Sequence, residues 1–124
     1  MNEFPEEYDL LSLFESEPTF LDTPSNNFLF YYNEATYQFS NGEEDFIVKL
    51  CPSYGDVSIQ VNQRISRRLI SHLDFKRINK FEITADKKDT SSILLTILDE
   101  DFKQIIEIDF KPIFKLIFSE ECIR

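Results

Sequence analysis

The sequence has 124 residues, of which 23 are acidic and 13 are basic, and its formal net charge is −10 at pH 7. This length predicts a single domain spanning residues 1–124, and the 42% of hydrophobic residues are enough for a core. The two glycines and two cysteines are too few for glycine-rich phosphate loops, a disulfide framework or a zinc site. The acidity argues against binding to nucleic acid or to an anionic membrane, and it favours a cationic partner.

The hydrophobicity of the chain predicts neither a secretory signal nor a membrane span. The N-terminus has no basic region followed by an apolar run, and no stretch approaches the roughly 18 apolar residues of a transmembrane helix. We therefore expect a cytoplasmic protein in which Cys51 and Cys122 are reduced thiols.

The acidic residues are concentrated at the N-terminal end. Eleven carboxylates precede the first basic residue, Lys49, whereas residues 50–124 hold twelve acids and twelve bases. Phenylalanine and tyrosine are interleaved with these acids, as in interfaces where aromatic anchors lie inside a charged rim. The pattern predicts a negative surface with aromatic anchors, although a solvated face that only keeps the protein soluble is the plainer alternative.

The first predicted element is a short helix over 6–15. Tyr8, Leu11 and Phe14 recur at three-residue intervals, and acids occupy the first turn, where the helix dipole favours negative charge. Residues 19–27 are expected to form a surface loop.

Strands are predicted from residue 28 onward, because the hydrophobic period changes to two. Asn41-Gly42 predicts a hairpin, since both residues tolerate a positive φ. Residues 64–75 fit a helix or a strand, and we favour a short helix near 64–73. Pro112 marks a strand end, a bulge or an edge. The predicted strands cover residues 28–32, 36–40, 45–51, 57–62, 80–85, 92–98, 103–111 and 113–118.

These elements predict a mainly β, or α+β, fold. The expected architecture is an antiparallel β-sandwich or half-open barrel of seven or eight strands. It includes a short N-terminal helix and, in our interpretation, a second short helix near 64–73.

No catalytic or metal-binding constellation is visible, so we expect neither an enzyme nor a cofactor. His72 has only chain neighbours as partners for acid-base chemistry, and the acidic turns at 43–45 and 99–101 lack the ligand spacing of a calcium loop. A basic cluster is interpreted as a salt-bridging face rather than an anion site or a nucleic-acid stripe. This basic cluster consists of Arg64, Arg67, Arg68, Lys76, Arg77 and Lys80.

The acids and aromatic residues interleaved over 3–45, followed by a sheet-rich remainder, resemble the small acidic immunity proteins of bacterial toxin systems, including contact-dependent inhibition. The resemblance implies a protein that binds and neutralises a cognate toxin domain, not by catalysis but by covering a basic, nuclease-type cleft or a nearby exosite. The alternatives are a small structural or adaptor subunit of a larger assembly and an enzyme of unknown type. Whether the chain is a monomer or a dimer stays open. The candidate partner-binding residues are Glu6, Glu7, Tyr8, Asp9, Phe14, Glu15, Glu17, Glu43, Glu44 and Asp45.

Overall fold

The computed structural model describes residues 3–21 and 32–123. Within these residues the chain forms one helix, α1 (Glu7–Phe14), and nine strands arranged in two antiparallel sheets. The strands are β1 (Thr19–Phe20), β2 (Ala35–Ser40), β3 (Glu44–Cys51), β4 (Asp56–Gln63), β5 (Leu69–Phe75), β6 (Lys80–Lys87), β7 (Thr90–Leu98), β8 (Phe102–Lys111) and β9 (Lys115–Cys122).

Each sheet is a meander in which consecutive strands pair. The first sheet has the order β1-β2-β3-β4-β5 and the second has the order β6-β7-β8-β9. Alternating residues of the central strands are buried between the sheets, and the ring centroids of Phe46 on β3 and Phe110 on β8 lie 5.3 Å apart. The prediction of a mainly β, antiparallel sandwich with a short N-terminal helix is therefore confirmed.

Helix α1 closes one flank of the sandwich by packing against β2 and β6. Leu10, Leu13 and Phe14 are buried on its inner side. At its start the Asp9 carboxylate accepts a hydrogen bond from the Glu6 backbone N–H at 3.3 Å. The helix ends where Glu15 adopts a left-handed φ of 52°.

The prediction of a second helix near 64–73 is wrong. The segment forms a turn followed by β5, and Arg67 has a φ of 65°, which interrupts any right-handed helix at that point. The four-residue spacing that suggested a helix includes Ile65, whose side chain is 93% exposed and contributes nothing to the core. Leu73 and Phe75 instead pack against the core from a strand.

The hairpin predicted at Asn41-Gly42 is present between β2 and β3, but its predicted mechanism is wrong. Neither residue is among the described residues with a positive φ. The Asn41 side chain holds the turn instead, because its Oδ1 accepts hydrogen bonds from the backbone N–H groups of Glu43 at 2.7 Å and Glu44 at 2.6 Å.

Other predictions have mixed outcomes. Residues 19–27 were expected to be a loop, but Thr19–Phe20 pairs with β2 as β1. The predicted strand over 28–32 and the remainder of that loop lie almost entirely outside the described residues. Pro112 follows the end of β8, as expected, and Cys51 and Cys122 are not joined in a disulfide. No helix in the described part of the chain is long and apolar enough to cross a bilayer.

Tyr37 on β2 presents an unsatisfied polar group in the core. Its side chain is fully buried, and its hydroxyl has no hydrogen-bond partner within residues 3–21 and 32–123. Burial, with a smaller contribution from the nearby negative charge of Glu7, raises the pKa of Tyr37 well above its usual value.

Replacing Tyr37 with phenylalanine should therefore leave stability unchanged or improve it. The variant keeps the ring, whose centroid lies 4.8 Å from that of Phe14, and removes only the buried hydroxyl. We expect the free energy of unfolding, measured by urea denaturation, to stay the same or rise by about 1 kcal/mol. A fall of more than about 1 kcal/mol would mean that the hydroxyl does make a stabilising hydrogen bond.

Candidate protein-binding site

A groove runs along the outer side of the sandwich between the N-terminal segment and β6. We call it the α1–β6 groove, and its volume is about 450 Å³. It is shallow and open to solvent, which suits contact with another protein's surface better than enclosure of a small molecule. Its lining residues are Glu3, Phe4, Pro5, Asp9, Lys80, Phe81, Glu82, Ile83 and Asp86.

Backbone pairing fixes the N-terminal segment beside β6. Glu3 donates its N–H to the Asn79 carbonyl at 2.8 Å, and Phe81 donates its N–H to the Glu3 carbonyl at 2.8 Å. Further along, the Ser12 hydroxyl donates to the Asp86 carboxylate at 2.7 Å. The segment and α1 are therefore attached to β6 near both ends of the groove.

The floor of the groove is apolar. The Phe4 and Phe81 ring centroids lie 5.4 Å apart with the rings tilted, and Phe81 is 3% exposed. Pro5 and Ile83 extend this surface along the lining. Such a floor can accept the aliphatic stem of a long side chain or the face of a guanidinium group.

The rim of the groove is strongly acidic. It carries four carboxylates, and its only cation is Lys80, whose ammonium lies 3.9 Å from a Glu3 oxygen and 3.7 Å from a Glu82 oxygen. Since these side chains are largely exposed, the ion pairs add little stability and can be exchanged for contacts with a partner. A lysine or arginine lying over the rings would place its charge among the acids.

The predicted helix residues divide between this groove and other surfaces. Asp9 lines the groove, and Glu6 and Tyr8 are exposed nearby on the same segment, Tyr8 to 70%. Glu7 is half-buried beside β2. Glu15 and Glu17 follow the other end of the helix, where a Glu15 carboxylate oxygen accepts a 2.6 Å hydrogen bond from the Lys111 ammonium.

Phe14 must be removed from the predicted binding residues. Its side chain is only 2% exposed, and its ring contacts Tyr37, Phe39 and Phe110 inside the sandwich. A partner could not reach this ring while the protein is folded as described. The three-residue recurrence that marked Phe14 identifies the core-facing side of α1.

The acidic turn at 43–45 is a separate surface and only partly available. Glu44 is 7% exposed, and one of its carboxylate oxygens accepts hydrogen bonds from Asn41 Nδ2 at 2.7 Å and from the Phe114 N–H at 3.1 Å. Glu44 therefore joins the two sheets and is excluded as a contact residue. Glu43 and Asp45 remain accessible, although Asp45 already lies 3.5 Å from Arg64 Nε.

The interpretation of the basic cluster as a salt-bridging face is supported at three of its six positions. Arg64 pairs with Asp45, Lys76 with Asp56 and Asp74, and Lys80 with Glu3 and Glu82. No set of three or more metal-ligating side chains is found in the part of the chain that the structure describes.

A second cleft, of about 540 Å³, lies between the end of β5 and the ends of β8 and β9. Its lining mixes the signs of charge, with Asp74, Asp99 and Glu120 alongside Lys76 and Arg77. It therefore has no strong preference for a charged partner. The α1–β6 groove is the better candidate because its charge and its apolar floor favour the same kind of ligand group.

The fold and this surface define a small two-sheet β-sandwich with an acidic groove on one flank. Comparison with known proteins gives a match at the level of structure. A solved contact-dependent growth inhibition toxin–immunity protein complex from Klebsiella pneumoniae 342 contains a chain similar to this one, with a TM-score of 0.70, 23% sequence identity and 97% of each chain covered. At this identity the likeness shows a shared fold. No protein-family model and no curated protein sequence matches the chain.

Proposed function

We propose that this protein is an immunity protein that binds and neutralises a cognate toxin domain, and that the α1–β6 groove forms part of the contact surface. The observation that carries the proposal is the groove, in which four carboxylates surround a floor of two phenylalanine rings. The shared fold with a chain of a toxin–immunity protein complex supports the same function.

The chemistry of the groove favours a basic partner such as a nuclease-type toxin. Enzymes that cut nucleic acid present lysine and arginine side chains at their clefts, and the net charge of −10 attracts such a surface over a long range. Steering of this kind raises association rates by roughly 10–10³-fold. Once in contact, a basic side chain can lie over Phe4, which packs on Phe81, with its charge on the rim, which excludes water and lengthens the lifetime of the complex.

The alternative function, a small structural or adaptor subunit of a larger assembly, loses its main support. It required an apolar helix that packs into a larger assembly, but the apolar side of α1 is buried in this chain's own core through Leu10, Leu13 and Phe14. The remaining outer side of the helix is polar and acidic, which suits contact with a cationic surface.

The proposal is tested by coexpressing this chain with a candidate toxin domain from a neighbouring gene. Cells that express that domain should stop growing, and coexpression of this chain should restore growth and yield a copurifying complex. If growth stays fully inhibited although this chain is abundant and folded, and no complex is detected, the immunity function itself is contradicted.

The groove is tested by reversing two of its rim charges. We expect the double variant Glu3→Lys/Glu82→Lys to associate with the toxin about tenfold more slowly and with a weaker salt dependence, because two steering charges become repulsive. Stopped-flow fluorescence at several salt concentrations measures both quantities. Backbone pairing of Glu3 with β6 does not need its side chain, so the fold should persist.

The matched control is Glu100→Lys/Glu107→Lys. It makes the same change in net charge at two exposed positions outside the groove. The control should slow association much less than the groove variant. Equal slowing by the two variants would show that total charge, not the groove, governs association.

A further inference from the structure

The edge strands of the two sheets differ in how well they are protected against pairing with another chain. β1 has only two residues, and the pairing of β5 contains a register shift opposite Val61 and Asn62. β6 also has a register shift, between Ile83 and Ala85, and it is flanked by Glu3 and by α1. Short length, bulges, a covering element and charged side chains are the usual protections of an edge.

β9 has none of the first three protections, and its charged residues are confined to its two ends, at Lys115, Glu120 and Glu121. Its eight residues, Lys115–Cys122, pair with β8 without a register shift, and no other strand in the described residues lies on its free side. It contains no proline, and all its residues are exposed. A long, regular and unpaired edge strand is a template for a further strand.

The side chains of β9 are also apolar at its centre. Leu116 is 37% exposed, Ile117 is 43% exposed and Phe118 is 54% exposed. Leu116 and Phe118 stand opposite Ile108 and Ile106 of β8, two residues of the core. They therefore continue the apolar inner face of the sheet out to an edge that water can reach, which favours covering by another chain.

We propose that the strand that pairs with β9 is β9 of a second copy of this chain, antiparallel and related by a two-fold axis at Phe118. In this register the charged ends of the strand are complementary. Lys115 stands opposite Glu121 of the partner subunit, and the same pair recurs at the other end of the interface. At the centre Phe118 meets Phe118 of the partner subunit on the inner face of the sheet, and the two ion pairs lie on the outer face.

The neighbouring register, with the axis at Ile117, is less favourable. It places Lys115 opposite Ser119 of the partner subunit, so the ammonium and the Glu121 carboxylate are only diagonal neighbours across the interface. In an antiparallel pair, residues that stand opposite one another lie on the same face of the sheet. The two-fold axis can therefore pass through a residue but not between two residues, so the register with its axis at Ile117 is the nearest alternative. The Phe118 register is therefore the one that places the opposite charges directly across from each other.

The resulting dimer has one continuous eight-stranded sheet across the two copies. β6 and β9 are the opposite edges of the four-stranded sheet, so pairing through β9 leaves each α1–β6 groove exposed. The dimer does not depend on the proposed immunity function, but it would give that function two binding surfaces per particle.

The dimer is tested by sedimentation equilibrium of the full chain at physiological salt. We expect reversible dimers. Lys115→Glu should weaken the dimer about tenfold, because each of the two Lys–Glu pairs becomes a repulsive Glu–Glu pair. Glu121→Lys should have the same effect. The double variant Lys115→Glu/Glu121→Lys restores opposite charges across the axis and should dimerise like the unmodified chain.

Two further variants separate loss of pairing from loss of folding. Phe118→Lys places two ammonium groups against each other at the axis and should abolish the dimer, while the circular dichroism spectrum and urea midpoint stay close to those of the parent, since the ring is half exposed. Lys49→Glu, at an exposed position of β3 in the other sheet, should leave the dimer unchanged. A chain that stays monomeric up to about 1 mM, or a double variant that dimerises no better than the singles, would overturn the proposal. If the chain is monomeric and Phe118→Lys weakens its binding to the toxin, β9 is a contact surface for the toxin instead.

Discussion

Replacing Phe14 with alanine is expected to lower the free energy of unfolding by about 3–5 kcal/mol. The Phe14 ring is 2% exposed and lies 4.8 Å from Tyr37, 4.7 Å from Phe39 and 5.7 Å from Phe110, measured between centroids. Its loss would leave a cavity where α1 joins the two sheets. Since domains of this kind have a total stability of about 5–15 kcal/mol, the variant should be close to unfolding.

Urea denaturation followed by circular dichroism measures the effect. Tyr8→Ala is the matched control, because Tyr8 lies on the same helix but its side chain is 70% exposed, so its truncation should change stability by no more than about 0.5 kcal/mol. Equal effects of the two variants would contradict the placement of Phe14 in the core. Toxin binding adds a second readout: Phe14→Leu should fold and bind almost normally, because the ring makes no contact with the partner.

The central strands could be predicted from the sequence because they are buried on one face only. In β4, Val57, Ile59 and Val61 are fully buried while the residues between them are partly exposed, which produces a period of two in the sequence. β5 lacks this signal because it is an edge strand. Leu73 and Phe75 lie on its inner face, but Leu69 and Ile70 at its start are adjacent and both about half exposed, so the period of two is broken there.

The acidic groove could be predicted only in part. The acids of the N-terminal segment are visible as a group in the sequence, but Phe81, Glu82 and Asp86 come from β6, which pairs with Glu3 only in the folded chain. No local pattern records that long-range pairing. The sequence also contained a signal against Phe14 as an anchor, since Leu10, Leu13 and Phe14 share one side of the helix and an apolar side of an amphipathic helix faces the core.

The turn at Asn41 illustrates a similar limit. Asn41-Gly42 correctly marked a hairpin, but the sequence could not show that the asparagine side chain reaches the other sheet. Asn41 Nδ2 donates to the Phe110 carbonyl of β8 at 2.7 Å and to a Glu44 oxygen at 2.7 Å. Glu44 in turn accepts from the Phe114 N–H, so a single buried network joins β2, β3, the end of β8 and the segment before β9.

Asn41→Ala should therefore be far more damaging than a turn substitution usually is. The change removes the partners of the Glu43 and Glu44 N–H groups and of the Phe110 carbonyl, and it leaves the buried Glu44 carboxylate with fewer donors. Each buried polar group left unsatisfied costs about 1–3 kcal/mol, and water entering the space should reduce the sum, so we expect a loss of about 2–4 kcal/mol in the free energy of unfolding.

Urea denaturation of Asn41→Ala measures this loss, and Asn62→Ala is the comparison. Asn62 also bonds through its side chain, accepting from Gln60 Nε2 at 2.9 Å and donating to the Arg67 carbonyl at 3.2 Å, but it lies near the solvent-exposed end of β4. Water can replace its partners there, so its truncation should cost about 1 kcal/mol or less. Similar losses in the two variants would mean that the Asn41 network is hydrated and does not hold the sheets together. A loss confined to Asn41→Ala would show that one amide joins the hairpin to the opposite sheet.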